Sequence, residues 1–255
     1  MRSGYIPILA FVLLSLTACE SEPVVEPTPM PVSATRQEVQ PVVWPPPAED
    51  QALTLAEDLL AKNYMVVFDG SGSMGDKGCS GPSTKATVAK QAIVDFAQEV
   101  GADANLGLIV FARSAAPAVH VALGTTNRQQ FTQAISAIQV DGGTPLRSAV
   151  TLARQKLEKQ ARKQQGYGEY HMVIVTDGEA SSGQSPTQVV HKLLVETPII
   201  VHTIGFCIGT RHSLNQPGRT VYKAANDSAG LRQGLEDVLA ESPAFDVTDF
   251  YGPHS

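Results

Sequence analysis

Short apolar blocks alternate along this chain with longer stretches of helical period. Tyr64 to Phe68 is an apolar run suited to a central strand buried on both faces. Over residues 84–100, Val88, Ala92, Phe96 and Val100 recur four apart and mark one face of a helix. Leu106 to Phe111 and Ala118 to Leu123 are two further strands. The short segment with Pro117 between them suits a hairpin, which makes the second antiparallel to the first. Phe131, Ala134, Ile135 and Ile138 form another helical stripe, and Leu146 to Gln164 reads as a long helix opened by Pro145. Met172 to Val175 and Ile199 to Ile204 are buried strands, and Val221 to Lys223 is a short edge strand. Ser185 to Val195 and Leu231 to Ala240 are helices, and Ala52 to Lys62 is expected as a lead-in helix. Such alternation predicts an α/β fold, a doubly wound and mostly parallel central sheet with helices on both faces.

Composition agrees. Charged residues make up 17% of the chain, a low share that suits a largely buried parallel sheet. The net charge is −6, with neither a basic cluster nor an aromatic platform, so no nucleic-acid partner is expected. About 200 residues follow the proline-rich N-terminal part, enough for one compact domain.

The candidate chemistry lies where strands end. Asp69, Ser71 and Ser73 stand at alternate positions in YMVVFDGSGSM, directly after the first strand. Thr144 follows in DGGTPL and Asp177 in MVIVTDGE. All five offer oxygen, the donor that hard cations such as Mg²⁺ select, whereas Zn²⁺ favours His and Cys. Three of the five are neutral hydroxyls, so a bound cation keeps much of its charge and is poised to accept a carboxylate from another molecule. Ligand sites in doubly wound sheets lie at the carboxyl ends of strands, the position that Asp69 and Asp177 share. Glu179 reads as a solvated loop acid, with a place beside the metal as the alternative. None of the six histidines pairs with Cys or a carboxylate at metal-ligand spacing, and His202, inside an apolar strand, reads as a hydrogen-bonded core residue. His212, Ser213 and Asp227 are not read as a hydrolytic triad, because no strained nucleophile turn accompanies them.

Asp69-Gly70-Ser71-Gly72-Ser73, with Thr144 and Asp177, resembles the metal-ion-dependent adhesion site of the von Willebrand factor type A family. The likeness covers roughly residues 62–240, with the domain expected over 51–242 and a C-terminal tail over 243–255. The resemblance implies a sheet with the first strand central and the Asp177 strand beside it. It also implies direct metal contact through Ser71, Ser73 and Thr144, with Asp69 and Asp177 acting through water or as supports. A carboxylate of the ligand often completes the octahedron in that family, and Mg²⁺ is the expected ion, with Mn²⁺ as a substitute.

The N-terminus has its own organisation. MRSGYIPILAFVLLSLTAC has one early positive charge and an apolar stretch from Ile6 to Leu16 too short to span a bilayer. Leu16-Thr17-Ala18-Cys19 resembles the bacterial lipobox, which implies a signal peptide over 1–18 and an acylated Cys19 as membrane anchor. Glu20 in place of Asp favours the outer over the inner membrane under the Gram-negative sorting rule, and sidedness is not legible. Residues 19–50 read as a tether, with eight prolines between Pro23 and Pro47 favouring extended polyproline II. Trp44 either covers the domain or merely precedes it. Outside the cytoplasm the remaining Cys79 and Cys207 are expected to form a disulfide, since the proposed fold places both in loops at one end of the sheet; the alternative is two free thiols.

These readings lead to a lipid-anchored, extracytoplasmic protein-binding module and not an enzyme. Its partner would be a protein that presents Asp or Glu to the metal. A Mg²⁺-dependent phosphohydrolase-like enzyme with Asp69 as nucleophile is the second reading. That chemistry commonly places a carboxylate two residues on, where this chain has Ser71, and no phosphate-clamping Lys or Arg pattern follows. A third reading is a structural envelope component whose metal only stiffens the loops.

Overall fold

The computed structural model describes residues 42–47, 53–112 and 116–240. The expected signal peptide, Cys19, most of the 19–50 tether and the 243–255 tail lie outside the described residues.

Six strands form one sheet in the order β3-β2-β1-β4-β5-β6. They are β1 (Lys62–Gly70), β2 (Asn105–Ala112), β3 (Ala118–Gly124), β4 (Glu169–Thr176), β5 (Ile200–Phe206) and β6 (Val221–Ala225). All neighbours are parallel except β2 and β3, the pair expected as a hairpin. β1 is central, between β2 and β4. It is buried from Asn63 to Gly70, which explains its unbroken apolar run.

Among the described residues, five α-helices cover the two faces: α1 (Lys85–Glu99), α2 (Arg128–Ala137), α3 (Leu146–Lys163), α4 (Thr187–Glu196) and α5 (Ser228–Ala240). Alternate residues of β1 choose between them, as the two-residue period of a strand requires. Tyr64, Val66 and Phe68 pack with Phe96 of α1, Phe131 of α2 and Leu235 of α5. Met65 and Val67 pack on the other side with Leu146 and Leu157 of α3 and Val190 and Leu193 of α4. Each fully buried Phe, Met or Leu in these layers contributes roughly 1.5–3 kcal/mol relative to exposure.

The expected lead-in helix over Ala52–Lys62 is not formed. Residues 53–61 are irregular, and β1 already begins at Lys62. The cause is the lack of a surface to pack on: Leu55 and Leu60 remain 53% and 71% exposed. The backbone bonds outward instead. The Ala56 N–H donates to the Lys163 carbonyl at 3.0 Å, and the Leu60 N–H to the Asp58 carboxylate at 2.8 Å.

Trp44 covers the domain. Its ring meets that of Tyr170 edge-on at 5.4 Å, at the start of β4. His202 is buried as expected and shares a 3.1 Å hydrogen bond with His171 on the neighbouring strand. No helix among the described residues is long and apolar enough to cross a membrane.

Candidate metal centre

Asp69 sits at the crest of the central strand and is wholly buried. Its Oδ1 accepts the Ser71 N–H at 2.8 Å, an Asx turn that bends the chain out of β1. Its Oδ2 accepts the Thr176 hydroxyl at 2.6 Å, from the last residue of β4. Gly70 is needed between them. A β-carbon there would lie 2.7 Å from the Phe111 carbonyl oxygen and 2.9 Å from the Ala112 Cβ. Beyond Ser71 a 3₁₀ turn, Gly72–Gly75, is pinned by the buried side chain of Met74.

The hydroxyls converge above this turn. Ser71 Oγ and Ser73 Oγ are 3.2 Å apart, and the Ser73 hydroxyl donates to Asp177 Oδ1 at 2.8 Å. Thr144 closes the group: a β-carbon on Gly178 would lie 3.9 Å from Ser73 Oγ and 4.0 Å from Thr144 Oγ1. The absent side chain of Gly178 thus leaves open the space on which both hydroxyls face. Backbone bonds hold the three loops together. Gly72 N–H donates to the Gly142 carbonyl at 3.0 Å, and Asp141 N–H to the Gly70 carbonyl at 2.8 Å. Thr144 N–H donates to Ser181 Oγ at 2.8 Å, and Ser181 N–H returns to the Thr144 carbonyl at 3.0 Å. The Thr144 side chain does not cap α3, whose N-cap position is Pro145.

Burial sets the electrostatics. Loss of water pushes the Asp69 carboxyl up to about 6, against the hydrogen bonds from Ser71 and Thr176, which favour the charged form. A buried carboxylate disfavoured in this way is a place where a cation gains. Among the described residues, no three His, Cys, Asp or Glu side chains gather around a point. A cation here would therefore be held chiefly by hydroxyls and by two carboxylates, and the donor set fits Mg²⁺ or Mn²⁺ and not Zn²⁺.

Three neighbours escaped the sequence reading. Thr176 was hidden in the strand end VTD, although an inward Thr beside a buried Asp is a signal. Ser181 is one of several loop serines and has no such signal. Lys85 is the first residue of α1, behind the Thr84 N-cap, where a cation is disfavoured. It is only 8% exposed, and its Nζ lies 2.5 Å from Asp177 Oδ2.

The outer wall is the loop after β5. His212 Nε2 donates to the Gly178 carbonyl at 2.9 Å, while its Nδ1 accepts the Leu214 N–H at 3.0 Å. Glu179 accepts the Ser213 N–H at 3.0 Å and the Ser213 hydroxyl at 2.8 Å. Glu179 therefore braces this loop. With Ser213 bound to Glu179, and with Asp227 accepting the Gly230 N–H at 2.7 Å, the residues of a hydrolytic triad are dispersed. Cys79 and Cys207 are joined in a disulfide, with a Cα–Cα distance of 5.6 Å. It ties the segment after the Ser71–Ser73 turn to the end of β5.

A family model for the von Willebrand factor type A domain matches residues 63–251. The chain belongs to that family. Members are typically adhesion and interaction modules, and the matching model is not that of a catalytic family. An uncharacterised protein of Bacillus subtilis, YwmD, is 29% identical over 164 residues, covering 59% of this chain and 70% of its own. Inter-alpha-trypsin inhibitor heavy chain H4 of Sus scrofa is 25% identical over 195 residues; the match takes in 75% of this chain and only 20% of that larger protein. Among solved structures, the conserved hypothetical protein BatB from Bacteroides thetaiotaomicron superposes with a TM-score of 0.56 at 16% identity, over 71% of this chain and all of BatB. At that identity the likeness speaks for the fold alone.

Proposed function

We propose that this von Willebrand factor type A domain is a lipid-anchored interaction module of the bacterial cell envelope, receiving an acidic side chain of a partner protein at a Mg²⁺ site. Asp69, Ser71, Ser73, Thr144 and Asp177 would hold the ion. When bound, the ion supplies a positive charge and an open position for a carboxylate. The observation that carries the reading is that the Ser73 and Thr144 hydroxyls face the space beside Gly178, with Ser71 Oγ 3.2 Å from Ser73 Oγ, above the buried Asp69. The protein's own part is to hold these oxygens together at one place. The hydrogen bonds from Thr176 and Ser71 orient Asp69, and the Thr144–Ser181 bonds fix the third loop.

A cleft of about 410 Å³ adjoins the site, lined by Gly143, Pro145, Ser148, Ser181, Gln184 and Pro117. Residues on both sides of Thr144 form its wall, so a partner's acidic side chain entering the site brings its neighbours against this surface. Such flanking contacts are needed, because one ionic contact rarely gives useful affinity.

The anchor reading rests on the lipobox resemblance around Cys19. One described segment of the tether packs on the domain, far from the candidate metal site. Trp44 packs on Tyr170 at the first turn of β4, whereas Asp177 follows its last residue. Seven residues of strand place these about 23 Å apart, at opposite poles.

Calorimetric titration with Mg²⁺ tests the metal site: the wild type should bind and Asp69→Ala should not, with its circular dichroism retained. Affinity capture from solubilised envelopes, with and without EDTA, tests the partner. The same captured proteins in both conditions would refute it. Labelling with palmitate, lost in Cys19→Ser, tests the anchor.

A further inference from the structure

Lys85 is a charged residue in an unfavourable position. It opens α1, where the exposed N–H groups already create positive potential. It is also nearly buried, which costs an ammonium most of its hydration. Its stem runs beside the disulfide. A β-carbon on Gly78 would touch Lys85 Cδ at 3.5 Å, Lys85 Cε at 3.6 Å and Cys207 Sγ at 3.7 Å. The Lys85 stem therefore passes close to Gly78 and the Cys79–Cys207 bridge, and its Nζ ends at Asp177.

Asp177 divides its two oxygens. Oδ1 takes the Ser73 hydroxyl, on the side of the hydroxyl cluster, and Oδ2 takes the ammonium, on the side of α1. The lysine is thus placed behind the carboxylate, leaving the face toward Ser73 and Thr144 to other groups. The charges then sum simply. Asp69 and Asp177 bring two negative charges and Lys85 one positive, so the site is singly negative. A divalent ion makes it singly positive, and one guest carboxylate brings it to neutrality. Without the lysine, the ion would be quenched by the two aspartates and would offer a guest no net attraction.

We propose that Lys85 is the residue that sets the site's charge, weakening its hold on the metal so that the loaded site keeps one positive charge for a carboxylate. This rests on the metal-site reading above and goes beyond it by assigning affinity for the ion and affinity for the guest to opposite effects of one side chain. Lys85 is a positioning residue here and makes no contact with the guest.

The test separates those two affinities. Lys85→Gln and Lys85→Met remove the charge; Met keeps the apolar stem beside the disulfide, so that one of the two folds if the other does not. Lys85→Arg keeps the charge. Mg²⁺ alone is titrated by calorimetry. Acetate is then titrated into Mn²⁺-loaded protein and followed by broadening of its ¹³C resonance. Removing a unit charge a few ångströms from the ion at a partly screened site is an effect of about tenfold. The expected result is Mg²⁺ binding about tenfold tighter and acetate binding about tenfold weaker in Lys85→Gln and Lys85→Met, with Lys85→Arg close to wild type in both. Tighter Mg²⁺ with unchanged acetate would mean that the lysine only competes with the ion, and the proposal would fall. Two unchanged affinities would overturn it as well, leaving the metal site standing. Absence of Mg²⁺ binding in the wild type would remove the metal-site reading, and this proposal with it.

Discussion

The Thr176 hydroxyl donates to Asp69 Oδ2 at 2.6 Å, joining the last residue of β4 to the crest of β1 across 107 positions of sequence. It is a buried bond to a buried carboxylate, so its loss leaves one oxygen of Asp69 short of a donor. Thr176→Val keeps the shape and removes the hydroxyl. The metal-free protein should lose about 1–3 kcal/mol in urea unfolding. An unmoved midpoint would show that another group takes the hydroxyl's place.

Two glycines at the site should respond differently to the same change. Gly70→Ala forces a β-carbon to 2.7 Å from the Phe111 carbonyl, which belongs to the rigid neighbouring strand. That variant should lose roughly 1–3 kcal/mol through overpacking. Gly178→Ala meets Ser73 Oγ and Thr144 Oγ1 only at 3.9 and 4.0 Å, ordinary contact distances. It should melt near wild type and yet bind Mg²⁺ more weakly, because the methyl enters the space between the hydroxyls. Calorimetry on both variants, beside their thermal melts, checks the contrast. Equal Mg²⁺ binding by wild type and Gly178→Ala would place the ion elsewhere.

The disulfide spans 128 positions, a long loop to leave unconstrained in the unfolded chain. The chain-entropy model gives it up to about 5 kcal/mol. Cys79→Ser with Cys207→Ser, or reduction of the native protein, should lower the urea midpoint by a corresponding amount. Because the bridge also lies close to the Lys85 stem, Mg²⁺ affinity should shift on reduction. A midpoint insensitive to reductant would show that the surrounding packing alone holds this loop.

Stability should fall with acid through the buried His171–His202 pair. Burial, with His171 adding to it, pushes His202 down to about 4, below its ordinary 6.5. Between those values the unfolded chain binds a proton that the folded chain refuses, so stability is full above about 6.5 and is lost as pH falls toward 4. The loss attributable to His202 is of order 3 kcal/mol. Asp69 works in the opposite sense over part of this window. Its folded value, about 6, lies above 3.8, and proton uptake there favours the folded state as pH falls. Urea midpoints of wild type and His202→Gln, compared between pH 7.5 and 4.5, isolate the histidine. Parallel curves would dismiss the pair as a source of acid sensitivity.

Local pattern and short motif were enough for much of this molecule. Apolar runs buried on both faces identified the parallel strands, since only a strand covered by helices on each side dispenses with polar positions. The helical period identified α1 and α2, because one helical face must meet the sheet, and Pro145 marked the start of α3. Asp69 and Asp177 could be placed at strand ends, where ligands gather in such folds. The sequence failed at Ala52–Lys62, whose local pattern suits a helix. Whether a helix persists depends on a surface to receive its apolar face, and Leu55 and Leu60 find none. Lys85, Thr176 and Ser181 could not be assigned either. Their meaning lies in distances to residues remote in the chain, 2.5 Å from Lys85 to Asp177 and 2.6 Å from Thr176 to Asp69. Periodicity reports which side of an element faces inward. Which charges and hydroxyls then meet is decided by the loops after β1, β4 and β5 and the one between α2 and α3 folding over one another, and only the assembled sheet brings those loops together.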